Sequence, residues 1–156
     1  MDNHHFFPIV TTILTGITAI HAILTWPANA VLVFFIGGAI IAFVAEAIVI
    51  NAGWLEHHIG LQFLGVPLYV GIAWPGLIYI VFRISMLLTS GLTAIALTGI
   101  LATIFTVITD PYGVAQNYWT YTADMPGFRY RNVPWWNFVG WLLISSGISA
   151  FTIMFL

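Results

Sequence analysis

Residues 110–141 read DPYGVAQNYWTYTADMPGFRYRNVPWWNFVGW, the one long polar interruption in a very apolar chain. The stretch holds Asp110, Asp124, Arg129 and Arg131 together with Trp119, Trp135, Trp136 and Trp141. Charge, tryptophan and turn residues set between two hydrophobic runs predict a segment that closes over a site rather than one that only connects helices.

The sequence around this segment is that of a membrane protein. Of 156 residues, 61% are hydrophobic and 5% charged, with no lysine, and the mean hydropathy is +1.03. A water-soluble domain of this size does not carry such a composition. Runs of about 20 apolar residues are what a helix needs to cross the hydrocarbon layer. The alternation of a membrane β-barrel is absent, so the predicted class is all-α, a polytopic bundle of about five spans. The first run lacks the basic start and small-residue cleavage site of a signal peptide and reads as a retained span. Without cysteine there is no disulfide, thiolate or iron–sulfur chemistry. A net charge of −2 offers no basic surface for nucleic acid. The scarcity of solvated surface points to lipid and to partner membrane subunits or further copies of the chain, and the expected location is the cell membrane of a prokaryote.

Taken in order, the spans are predicted at about 8–26, 29–50, 63–84, 92–109 and 135–156 of one transmembrane domain, with a polar loop over 110–134. Pro67 and Pro75 fall inside the third span and predict a kink. Pro134 opens the last. Five spans put the N-terminus, the loop after the second span and the loop after the fourth on one side, so nearly all charge gathers at one end. No internal repeat is evident, which disfavours a transporter or proton channel.

Two acids stand on stripes of small residues. Ala94, Thr98, Ala102 and Thr106 recur every fourth residue and lead to Asp110, while Gly38 and Ala42 lead by the same step to Glu46. Such stripes mark faces where membrane helices approach closely. Both acids should therefore point into the bundle and converge near the polar end, where a paired acid and base becomes possible. The plainer alternative is a pair of helix-end carboxylates facing headgroups, satisfied by Arg129 or Arg131.

His4, His5, Glu56, His57 and His58 share the polar end as weak metal candidates. Adjacent histidines chelate poorly and no HxxxH or ExxH spacing occurs, so no metal is assigned. The tryptophans read most simply as an interfacial belt. Trp54, Trp74 and Trp119 sit beside the acids or in the third span, where aromatic faces can stabilise a cation.

FVAEAIVINAG, LGVPLYVGIAW, TDPYGVAQNYWTY and VPWWNFVGW follow one another in an order and spacing that resembles the carotenoid biosynthesis membrane family, which includes carotenoid 1,2-hydratases of the bisanhydrobacterioruberin hydratase type. The resemblance covers about Phe43 to Trp141. It departs after Glu46, where Trp54, Leu55, Glu56, His57 and His58 replace a glycine, phenylalanine and tyrosine pattern. It implies a membrane lyase that adds water to the terminal double bond of a long acyclic isoprenoid and needs no cofactor. By position, it implies Glu46 and Asp110 as catalytic acid and base, and Trp74, Trp119, Asn137 and Trp141 at the substrate, with Pro67, Pro134 and Gly140 matching the family's motifs. Trp54, which departs from the family pattern, is expected at the substrate from its place beside the acids. The rival reading is a non-catalytic subunit of a respiratory, photosynthetic or metallo-oxidase complex that binds lipid or carotenoid.

Overall fold

The computed structural model describes residues 6–122 and 126–156; Asp2, His4, His5 and Asp124 lie outside them. Among the described residues, five helical segments are long and apolar enough to cross a membrane. They are α1 (Phe6–Thr25), a second span in which α2 (Ala28–Val31), a π-helical stretch (Leu32–Gly37) and α3 (Gly38–Asn51) run on without a break, then α4 (Leu68–Leu88), α5 (Gly91–Ala115) and α6 (Trp135–Ile153). The protein is an all-α integral membrane bundle.

The third and fourth spans differ most from those expected. The third span starts at Leu68 rather than residue 63, because Gln62–Phe63 and Val66–Pro67 pair as a hairpin. Pro67 is thus the N-cap of α4, and only Pro75 lies within it. The fourth span does not stop at Thr109: α5 continues through Asp110 and Pro111 to Ala115. In apolar surroundings a helix that gives up one bond at proline costs less than a backbone that frays where water is scarce. The polar loop begins correspondingly later.

Among the described residues, six short strands lie at the polar end. β1 (Leu55–His57) pairs antiparallel with β4 (Trp119–Tyr121), with Leu55 opposite Tyr121, Glu56 opposite Thr120 and His57 opposite Trp119. β2 (Gln62–Phe63) pairs with β3 (Val66–Pro67), and β5 (Arg129–Tyr130) with β6 (Val133–Pro134). The last two hairpins are alike. Leu64 and Gly65 turn the first at φ 53° and 78°, and Arg131 and Asn132 turn the second at φ 49° and 70°. These left-handed pairs match the two-residue turn whose twist suits a tight hairpin. Each hairpin ends in Val-Pro, and each proline caps the next helix.

The likeness extends across both halves of the chain, contrary to the expectation of no repeat. Residues 62–74, QFLGVPLYVGIAW, match 129–141, RYRNVPWWNFVGW, in hairpin, capping proline and a tryptophan seven residues beyond it. Upstream, the stripe Gly38, Ala42, Glu46 corresponds to Ala102, Thr106, Asp110, and every one of these residues is buried. Glu56 and Thr120, ten residues past each acid, face each other at the middle of the β1–β4 ribbon. The second span with α4, and α5 with α6, are therefore two copies of one unit, and α1 is an addition that packs on α4.

Packing away from the polar end is aromatic. Phe34 stacks on Phe82 at 5.9 Å and 7°, with Trp26 and Tyr79 against them. Arg83 lies 5.9 Å from the Trp26 ring. Close helix approaches rest on small residues: Gly76 accommodates Thr15, whose hydroxyl donates to the Ile72 carbonyl at 2.9 Å, and Gly99 faces Leu142 and Ser146.

Candidate functional site

Beneath the β1–β4 ribbon lies a partly open cavity of about 160 Å³, lined mainly by apolar side chains. Both halves of the repeat contribute. Glu46 enters from α3 and Asp110 from α5, and both are buried, at 9% and 7% exposure. Both helices pack on α4 and α6 rather than on each other, and each acid continues the buried small-residue stripe of its own helix, which turns it inward.

The two carboxylates have different partners. His57 Nε2 lies 2.5 Å from Glu46 Oε1, and Tyr69 Oη stands 3.3 Å from His57 Nδ1. Asn137 Nδ2 donates to Asp110 Oδ2 at 2.5 Å, and the Tyr121 hydroxyl is directed at the same carboxylate. His57 and Tyr121 follow their acids by the same eleven residues and flank the centre of the ribbon. Within the repeat, then, a histidine in one half takes the place of a tyrosine in the other. Burial first, then the charges of Asp110 and Glu46, push the Tyr121 phenol well above its ordinary value. It stays a neutral hydrogen-bond donor.

Aromatic faces form the walls. Trp74 and Trp141, the equivalent tryptophans of the two halves, stack at 3.8 Å and 13°. Trp119 lies 5.8 Å from the His57 ring and occupies the space left by Gly113. Its Nε1–H points toward Tyr121 without completing a hydrogen bond. Phe7, Tyr69 and Phe105 complete the aromatic lining.

Of the residues singled out in the sequence, Glu46, Asp110, Trp74, Trp119, Asn137 and Trp141 meet at this cavity. Trp54 does not. It packs on Trp136 at 5.8 Å, because the strand that follows it turns Leu55 and His57 inward instead. The histidine tandem divides: His57 faces the cavity, while His58 reaches Thr120 Oγ1 at 3.0 Å and lies 4.0 Å from Glu56. Among the described residues no three metal-ligating side chains converge. Neither Arg129 nor Arg131 is seen to pair with the acids: Arg129 donates to the carbonyls of Thr122 and Asn132, and Arg131 lies over Tyr130. Tyr69 and Tyr121 are the site residues that sequence reasoning missed, and His57, named there as a weak metal candidate, is instead the partner of Glu46. The signal for its inward direction was alternation with Leu55 and Ile59, all three buried.

No curated protein and no solved structure matches the chain. The sequence profile of the carotenoid biosynthesis proteins matches residues 6–156, nearly the whole length, and the chain belongs to that family.

Proposed function

We propose that this protein hydrates the terminal double bond of an acyclic carotenoid or related isoprenoid, with Asp110 as acid and the Glu46–His57 pair as base. The observation that carries the reading is the convergence of two buried carboxyl groups in one apolar, tryptophan-walled cavity. Acids at such depth are costly and mark function more often than structure.

Adding water to a trisubstituted alkene requires a proton on the less substituted carbon, shelter for the tertiary cation, and removal of a proton from the attacking water. Asp110 supplies the first. As its proton leaves for carbon, negative charge grows on the carboxylate, and the donors Asn137 and Tyr121 strengthen their hold on it. The cation then lies against the faces of Trp119 and the Trp74–Trp141 stack. A water beside Glu46 attacks it, and the released proton passes to the Glu46–His57 pair. Return of that proton to Asp110 through solvent closes the cycle with one water consumed. The residues of this chain suffice for each step.

The test uses the purified protein in liposomes with an acyclic carotenoid. Asp110→Asn and Glu46→Gln are expected to lower hydration by about 10²–10⁴-fold, the usual contribution of a positioned acid or base, with helix content unchanged by circular dichroism. Undiminished hydration in both variants would overturn the assignment.

A further inference from the structure

The cavity is partly open and is covered on its polar side. Leu55, His57, Trp119 and Tyr121 of the β1–β4 ribbon form the cover. Phe7 seals its edge, with ring centroids 5.7 Å from Tyr69, 5.6 Å from Tyr118 and 5.8 Å from Trp119. Below Phe7, α1 packs along α4 and makes no comparable contact with α5. Thr11 and Leu14 of α1 nevertheless line the cavity together with Phe105 and Thr109 of α5, and Phe105 is 40% exposed. A side opening therefore lies between α1 and α5. α4 forms its back wall from Tyr69 to Leu77, about 12 Å at ~1.5 Å per helical residue.

We infer that the substrate enters sideways from the bilayer through the gap between α1 and α5, end first, leaving the rest of its chain in lipid. This rests on the proposed hydratase reading for the identity of the molecule, but the route follows from where the cavity is covered and where it is bare. The gap suits a long apolar chain, since Leu14, Leu77 and Phe105 are apolar and the hydroxyls of Thr11 and Thr109 donate to carbonyls of their own helices. A site reached this way selects the end of the chain and is indifferent to its length.

The absence of cysteine permits a clean test. Val10 and Ile108, next to Thr11 and Thr109, are 44% and 70% exposed and lie outside the cavity lining. V10C and I108C are combined and bridged with a flexible, reductively cleavable bis-thiol reagent. The protein then meets an acyclic polyene in liposomes, and the pigment kept after repurification is read by absorbance, alongside turnover. Bridging beforehand is expected to lower pigment uptake and turnover at least tenfold, with both restored on cleavage. Bridging after loading is expected to hold the pigment through washing. Equal uptake by bridged and unbridged protein would overturn the route, as would an equal loss in single variants capped with half the reagent, or no uptake by unbridged protein. Link-sensitive uptake without any hydration would uphold the route and refute the hydratase reading.

Discussion

His57 Nε2 stands 2.5 Å from Glu46 Oε1, joining the ribbon that covers the cavity to the helix that carries one of its two acids. The bond has a counterpart in the other half of the repeat, where Tyr121 faces Asp110. A histidine can take up and release a proton under ordinary conditions, whereas a buried tyrosine can only donate a hydrogen bond. The two acids are equivalent by position and differ by partner.

This difference predicts the behaviour of His57→Gln. Glutamine retains a donor toward Glu46 but cannot carry the proton taken from water. Hydration is expected to fall by about 10²-fold, and its dependence on pH to change shape, while uptake of the polyene stays at the wild-type level. Rates measured across a pH series check this. An unchanged profile would make His57 a purely structural partner.

Tyr121 gives a prediction at alkaline pH. Its phenol is held well above the ordinary value of 10.0, chiefly by burial. Below pH 10 the phenol is protonated whether the chain is folded or unfolded, so its contribution to stability is intact. Above that, the unfolded chain ionises and the folded one resists, and stability declines as pH rises. Tyr121→Phe is expected to flatten that decline. Thermal unfolding in detergent, followed between about pH 9 and 12, distinguishes the two proteins.

Packing of α1 on α4 can be tested at Gly76. A Cβ there would meet Thr15 Cα at 2.9 Å, and the backbone cannot yield cheaply. Gly76→Ala should destabilise the protein by roughly 1–3 kcal/mol, the ordinary cost of overpacking. Gly147→Ala on α6 meets nothing within 4 Å and serves as the control. Its stability should hold or rise, since alanine is the better helix former. Urea or thermal midpoints of the two variants supply the comparison.

Much of this architecture is legible in the sequence because lipid imposes simple rules. Apolar runs marked all five spans, and the stripes ending in Asp110 and Glu46 gave the direction of both acids, since each member of those stripes is buried. What depended on contacts between distant segments was not legible. His57 turns inward only because β1 pairs with β4, more than sixty residues away, and alternation then sends His57 in and Glu56 out. Read alone, NAGWLEHH is a polar turn. Trp54 was misplaced for the same reason. The repeat was hidden because its two halves keep a hairpin, a proline and a tryptophan rather than a run of identical residues. The end of α5 was set too early by Asp110–Pro111, where the weak local signal of proline gave way to the need for a continuous helix in apolar surroundings.

The central claim is that Asp110 delivers a proton to carbon and that water completes the addition. Its most direct test is to incubate the purified protein in liposomes with an acyclic carotenoid in deuterated, oxygen-18-labelled water and analyse the product by mass spectrometry. The account predicts a tertiary alcohol carrying one deuterium on the adjacent carbon and one labelled oxygen, formed by the wild-type protein and lost in Asp110→Asn. A folded wild-type protein that binds the carotenoid and returns it without label, or an Asp110→Asn variant that labels it at the wild-type rate, would contradict it.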